Sequence, residues 1–300
     1  MTNDIGPLVA GAIGDSYGAG FEFTTQTFIN QNNLMRDYVQ HPKWDTLPGN
    51  YTDDTQMQMA LAELMLNPKV IWNHYHIAAA FFEVFKRDPR KGYAGPFYEF
   101  LKGCTERDDF QRFLYNMRPH SQKVGGAMRA GVIGLIPDMD AVINLAMLQA
   151  SVTHATKIGM ESAVASALIT HYFHYKVGPK GFLSDWLTDE GLDYSWGAPH
   201  LGRVARISRS GHVPVWDAVQ VIMKHDSMTA ILRDCVARGG DTDTCATIAL
   251  TAASRSVEVE QNLSIDLING LEDDEWGYSH LEKLDRALLK KFPRDGKQPD

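Results

Sequence analysis

Residues 237–249 read ARGGDTDTCATIA. Two glycines give way to Asp241, Thr242, Asp243 and Thr244, and an apolar run follows at once. Asp and Thr are favoured at helix starts because their side-chain oxygens accept from the free N–H groups of the first turn. Negative charge there is also favourable against the helix dipole. One such residue meets that need. Two carboxylates two residues apart exceed it and repel each other, and the basic residue beside them is Arg238. A hard cation held by oxygen ligands accounts for the surplus. Capping and metal binding both stand at this point, and in either reading a buried helix begins here, over 243–255.

Outward from that helix the chain keeps reading as helix. The segments 215–224, 228–237 and 280–292 carry helical apolar spacing, and 157–177 reads as a long buried helix. Residues 138–150 start with acidic residues, and 122–135 is a small-residue helix candidate closed by Pro137. Residues 71–87 stop before Pro89, and 55–66 stop before Pro68. There is no sustained alternation of period two and no Asn-Gly turn between apolar runs. The fold class expected is all-α, with one domain over 1–292 and a flexible tail at 293–300 (PRDGKQPD). Two stretches read as long loops, the polar 24–50 and the Gly-, Pro- and aromatic-rich 188–214.

The chain has 300 residues, enough for a substantial core. A net charge of −8 and a pI near 5.7 argue against a broad nucleic-acid footprint, which needs a basic face. They leave room for a small anionic ligand, which backbone amides hold without net positive charge. Cys104, Cys235 and Cys245 match no zinc spacing and no disulfide framework. The stretch MTNDIGPLVAGAIGDSYGAG has no basic flank and does not read as a secretory signal. No apolar run has membrane-spanning length. A cytoplasmic protein without membrane or stable nucleic-acid partners is expected.

Residues 50–56, NYTDDTQ, repeat the odd composition of the opening segment. Thr52, Asp53, Asp54 and Thr55 mirror Asp241, Thr242, Asp243 and Thr244, again at a helix start. If the two starts converge, four carboxylates face one point, and they must share protons or gather cations. An all-oxygen set selects Mg²⁺ or Mn²⁺, with Ca²⁺ as a further option, over Zn²⁺ or Cu²⁺. Four carboxylates suffice for two ions sharing a bridge.

Other segments carry weaker signals. In AGAIGDSYGAGFEF (10–23) the small residues suit close packing, and Asp15 and Glu22 lie among them. Glu22, between Phe21 and Phe23, is a candidate for a raised pKa and for acid–base work, or else a solvated helix-end glutamate. GGAMR (125–129) exposes backbone amides of the kind that cradle phosphate, or simply packs closely, with Arg129 as an ion-pair partner. His154 stands before the long apolar helix, where a lone histidine is commonly a structural hydrogen-bonder. His74, His76, His171 and His174 match no metalloprotease spacing and read as structural or surface residues. Lys123 and Lys157 are candidates to meet phosphate, or else face solvent as lone lysines normally do.

Taken in order, GAIGDSYGAGFEF, YTDDTQM, VGGAMRAG, SVTHATKIG, ARGGDTDT and LINGLEDD resemble the ADP-ribosylglycohydrolase family over nearly the whole chain. The resemblance implies a compact, orthogonal all-α bundle with two Mg²⁺ or Mn²⁺ ions at the bottom of a cleft. Carried over by match, Thr52, Asp53, Asp54, Asp241, Asp243 and Thr244 would ligate the metals. Glu22 would lie on a mobile flap near the substrate ribose, and Glu22 or Asp54 would exchange the catalytic proton. Gly125, Gly126 and Met128 would line the diphosphate and ribose channel, and His154, Thr156 and Ile158 would contact ADP-ribose. Two departures stand out. Lys123-Val124 replaces a frequent Gly-Asn, and CATIALTAASRS after the second acidic motif is less glycine-rich than usual.

The implied function is release of ADP-ribose from an arginine, serine or other acceptor on a protein, or from a small-molecule conjugate, by a monomer. The alternatives are a non-catalytic ADP-ribose-binding protein on the same scaffold and a two-metal nucleotide phosphohydrolase.

Overall fold

Every residue of α1, Pro7–Ala19, is buried. Its sequence PLVAGAIGDSYGA therefore shows no amphipathic stripe, as expected of a helix covered on all sides. The same holds for α11, Thr242–Ala253, which packs against α1 along its length. The two backbones nearly touch. A Cβ on Gly14 would come 2.6 Å from the Ala246 carbonyl oxygen, and one on Gly18 would come 2.4 Å from Asp243 Cα. Small residues at these positions set the interhelix distance.

The computed structural model describes residues 5–106, 109, 120–192 and 211–295. Around the α1–α11 pair run α2 (Gln26–Asn32), α3 (Asp53–Leu66), α4 (His74–Arg87), α5 (Gly95–Gly103), α6 (Met139–Ser151), α7 (Lys157–His174), α8 (Leu183–Asp189), α9 (His212–Lys224), α10 (Met228–Ala237), α12 (Ile265–Gly270) and α13 (Tyr278–Lys291). Helix α7 is buried through its last three turns and joins the centre, while α9 and α10 cover α11, and α13 covers α1 and α3. The outer helices α4, α9, α10 and α13 bury one face each. A single cluster of buried side chains runs from Ile5 to Leu288. The all-α expectation holds: among the described residues every element is helical. None of those helices is long and apolar enough to cross a membrane.

The expected helices over 55–66, 71–87, 138–150, 157–177, 215–224, 228–237, 243–255 and 280–292 all appear, with ends moved by a few residues. The expected helix over 122–135 does not form. Two tight 3₁₀ turns, Val124–Gly126 and Gly131–Leu135, stand in its place. Four glycines lower its helical propensity, and the backbone there is pressed so closely on α7 that a Cβ on Gly134 would lie 2.1 Å from the Ala167 carbonyl oxygen. The polar stretch 24–50 is not all loop. Thr25 caps α2 by accepting from the Phe28 N–H at 3.2 Å. Of the expected loop 188–214, residues 193–210 lie outside the described residues, as do 296–300 of the expected tail.

Helix α1 begins at Gly6, which has no side chain to cap it. The cap comes from α13: Leu8 N–H donates to Asp285 Oδ1 at 2.9 Å and Val9 N–H to Oδ2 at 3.0 Å. Arg255 closes the same end by donating to the Ile5 carbonyl at 2.9 Å. Burial pushes the Asp285 pKa up to about 7, against the pull of the two amides and Arg255.

The folded protein thus holds a proton on Asp285 across a window in which the unfolded chain has released it. This contribution to stability is fully present below the ordinary aspartate value of about 4 and is lost as pH rises towards 7. Asp285→Asn does not titrate. Its stability relative to the native protein is expected to improve through that window by about 1.4 kcal/mol per pH unit. Urea unfolding at a series of pH values checks this, and a flat difference would show that the buried cap stays charged.

Candidate functional site

Both acidic turns begin helices, yet neither N-cap side chain caps its own helix. Thr52 holds the N-cap position of α3 and Asp241 that of α11, and neither side chain accepts from its helix. The capping of α3 is done from α1. The fully buried carboxylate of Asp15 accepts from the N–H groups of Thr52 and Thr55 at 2.9 and 3.0 Å, and from their hydroxyls at 2.7 and 2.6 Å. The second turn is tied to the same helix, because the Thr242 hydroxyl donates to the Gly18 carbonyl at 2.8 Å. With the capping of α3 supplied by Asp15, Asp53 and Asp54 are not spent on that helix end, whereas in the second turn Asp243 Oδ1 accepts from Thr244 N–H at 2.9 Å.

A third segment closes on these turns. Gly239 and Gly240 both have positive φ, 68° and 81°, a conformation open to glycine at no steric cost. The Gly240 carbonyl accepts from Phe23 N–H at 2.8 Å, and Phe23 itself sits at φ 50°, strained for a side chain of its size. Glu22 precedes it. The amides of Lys43 and Trp44 donate to His41 Nδ1, so the ring proton lies on Nε2 and is given to the Glu22 carbonyl at 2.9 Å. Backbone bonds on both sides hold Glu22 beside the second acidic turn.

The carboxylates converge. Oxygens of Glu22, Asp241 and Asp243 lie within 4.8 Å of one another. Burial drives Asp53, Asp54 and Asp243 well above the usual carboxylate range, and mutual repulsion drives them further. Asp15 and Asp241 act on Asp53; Asp15, Asp53 and Asp241 act on Asp54; Glu22, Asp241, Asp54 and Asp15 act on Asp243. The side chain of Thr244 faces Asp54 and holds its pKa down, which joins the two turns. Asp54 Oδ1 is buried without a hydrogen-bond partner. An orphaned carboxylate oxygen amid an all-oxygen donor set fits a hard divalent cation. Thr52 adds to that fit, since its hydroxyl proton goes to Asp15 and leaves its lone pairs free.

A cleft of about 410 Å³ opens over this cluster, within the range of small-molecule sites. Of the residues singled out from the sequence, Glu22, Asp53, Asp54, Asp241, Asp243, Thr244, Gly125, Met128 and His154 line it together. Thr52, Gly126, Thr156 and Ile158 stand behind the lining. The Gly126 carbonyl accepts from Gln149 Nε2 at 2.7 Å. Thr156 caps α7 through Gly159 N–H at 3.1 Å and donates to the Ser121 carbonyl at 2.9 Å. Ile158 lies in the first turn of α7, where its carbonyl accepts from Ser162.

Arg129 makes no ion pair among the described residues. It is buried, donates to Gln149 Oε1 at 2.6 Å, to the Gln149 carbonyl at 3.0 Å and to Thr153 Oγ1 at 2.8 Å, and lies 4.4 Å from the Phe81 ring centre. His74, His76, His171 and His174 bond to Ser151 or to backbone carbonyls, as structural histidines do. Sequence reading missed the role of Asp15, which sits among packing residues with nothing local to mark it. It also missed the aromatic lining from Tyr93 and Phe97, because nothing in GYAGPFYEF distinguishes cleft from core.

The family model described as ADP-ribosylglycohydrolase matches residues 5–298. The chain is 35% identical over 179 residues to a mouse protein named ADP-ribosylhydrolase ARH3, covering 55% of this chain and 47% of that protein. It is 31% identical over 179 residues to the Bos taurus protein of the same name, covering 55% and 48%. The chain thus spans about half the length of the curated relatives it matches. A solved structure described as an ADP-ribosylglycohydrolase-related protein complex superposes with a TM-score of 0.69 over 96% of both chains at 19% identity, a likeness of fold.

Asp15→Ala removes the acceptor for two amides and two hydroxyls in a dry setting. It is expected to cost at least about 2 kcal/mol, with Asp15→Asn intermediate because one carbonyl oxygen remains. Urea unfolding measures both. Equal stability of Asp15→Ala and the native protein would mean that the first acidic turn does not depend on α1.

Proposed function

The chain belongs to the ADP-ribosylglycohydrolase family, and on that premise we propose that it is a metal-dependent hydrolase that cleaves the glycosidic bond at C1 of the distal ribose of an ADP-ribose conjugate. The observation that carries this reading is the convergence of the two acidic turns, with the orphaned Asp54 Oδ1, at a ligand-sized cleft. Thr52, Asp53, Asp54, Asp241, Asp243 and Thr244 are the residues to hold two Mg²⁺ or Mn²⁺ ions. Bound there, such ions would supply the positive charge that activates water and meets negative charge developing on oxygen.

The protein's own groups divide the remaining work. Asp54 is 3% exposed and crowded by three other carboxylates, so it serves as a ligand and not as a proton carrier. Glu22 is half-buried at the cleft lining, in reach of solvent, and is the group to exchange the proton. Gly125, Met128 and His154 receive the ADP-ribose, and Tyr93 and Phe97 give the same cleft an apolar surface for a ring. Lys123 also lines the cleft, and its ammonium has no carboxylate partner among the described residues. It offsets the acidic cluster for a ligand whose diphosphate is negative. The acceptor is an arginine or serine side chain of a modified protein, or a small-molecule conjugate.

Release of free ADP-ribose from arginine- and serine-ADP-ribosylated peptides, in Mg²⁺, in Mn²⁺ and with chelator, tests the reading. Release is expected with metal, lost on chelation and reduced to background in Asp241→Ala. AMP as product would move the cleavage to the diphosphate, and binding without release would make the chain an ADP-ribose binder. Lys123→Ala is expected to weaken ADP-ribose binding about five- to tenfold at low salt and to flatten its salt dependence. Calorimetry at two ionic strengths checks this, and an unchanged salt dependence would remove Lys123 from the ligand's field.

A further inference from the structure

Arg129, Thr153 and His154 form a chain of hydrogen bonds that ends in the cleft. Arg129 is fixed first, by Gln149 and by Phe81. Its Nη2 donates to Thr153 Oγ1 at 2.8 Å, and Thr153 Oγ1 meets His154 Nδ1 at 2.7 Å. A guanidinium has only donors, so Arg129 occupies a lone pair of the Thr153 oxygen. The hydroxyl has one proton to give, and His154 Nδ1 is the acceptor in reach. With Nδ1 as the accepting nitrogen of the ring, the imidazole proton stands on Nε2. Burial, with the positive charges of Arg129 and Lys123, pushes the His154 pKa down to about 3, so the ring is neutral at ordinary pH.

The other edge of the ring faces ligand space. His154 lines the cleft. A Cβ on Gly125 would come 2.8 Å from His154 Cε1 and 3.1 Å from Nε2, so the glycine leaves that edge bare. No protein acceptor for Nε2 occurs among the described residues. The opposite side of the residue is clamped: His154 N–H donates to the Ala150 carbonyl at 2.7 Å, and its own carbonyl accepts from Thr156 N–H at 2.7 Å.

We propose that Thr153 is a positioning residue that fixes His154 as the neutral Nε2–H tautomer, so that His154 is a standing hydrogen-bond donor to a phosphate or ribose oxygen of the ligand. The ligand half of this inference rests on the reading that the cleft takes ADP-ribose; the tautomer half does not. It also assigns what His154 does not do. Its cleft-facing nitrogen already carries a proton and has no free lone pair, so His154 binds and orients, and a carboxyl group must move the catalytic proton.

The test reads the tautomer directly. In the full-length protein labelled with ¹⁵N-histidine, the His154 signals are assigned by their loss in His154→Gln. At neutral pH without ligand, the native protein is expected to show a protonated Nε2 and an unprotonated Nδ1. Thr153→Val keeps the branched shape and removes the hydroxyl. It is expected to give a mixture of tautomers and about tenfold weaker ADP-ribose binding by calorimetry, the loss of one neutral hydrogen bond. Thr153→Ser is expected to restore both. A proton on Nδ1 in the native protein overturns the proposal without any variant, as does an unchanged tautomer in Thr153→Val. A relaxed tautomer with unchanged ADP-ribose affinity overturns the donor role. A native protein that shows the Nε2–H ring and does not bind ADP-ribose speaks against the proposed substrate, while the relay stands on the spectrum.

Discussion

The buried carboxylate of Asp15 is the hinge between the core and the chemistry. It accepts from both amides and both hydroxyls of Thr52 and Thr55, and it does so from the middle of a helix that is covered on every side. A short acidic side chain inside α1 thereby sets the position and direction of α3 at its first turn. The cost is a desolvated charge, which burial pushes upward and four hydrogen bonds hold down. Because Asp15 carries out the capping, the acidic residues of that turn are left to face one another and the cleft.

The second acidic turn depends on the same helix through packing as well as hydrogen bonding. Gly14 and Gly18 let α11 approach α1 until backbone meets backbone, and Thr242 fastens the start of α11 to Gly18. Repelling carboxylates would part if their helices could slide. They cannot, because both helix starts are joined to one buried rod and the surrounding core is close-packed. The tension is electrostatic and stays where the fold puts it, at Asp53, Asp54 and Asp243. Protons or cations relieve it, and the donor set suits cations.

Opposite this acidic floor the cleft is built from irregular backbone. The glycine-rich stretch 124–135 folds as two 3₁₀ turns pressed on α7, which brings Gly125 beneath His154 and buries Arg129 against Phe81 and Gln149. Arg129 carries no counter-ion in this network, and its hydrogen bonds run through Thr153 to the ring that lines the cleft. A charge that the sequence offered as an ion-pair partner is thus an internal support.

Much of this was legible in the chain. The repeated, excess pattern TDDT and DTDT marked both acidic turns, since no helix start needs so many carboxylates, and the order of motifs identified the family. Helical spacing and proline stops located the amphipathic outer helices, because half-buried helices write their exposure into a 3.6-residue period. Where burial is complete that period vanishes. Neither the capping role of Asp15 nor the failure of 122–135 to become an α-helix leaves a local trace, as both depend on which backbone lies across the gap. The sequence by itself determined the helical class and the residue types gathered at the site. Only the tertiary structure decided which side chain caps which helix and which carboxylate oxygen is orphaned, because hydrogen bonds between residues far apart in the chain exist only once packing has brought their donors and acceptors within 3 Å or so.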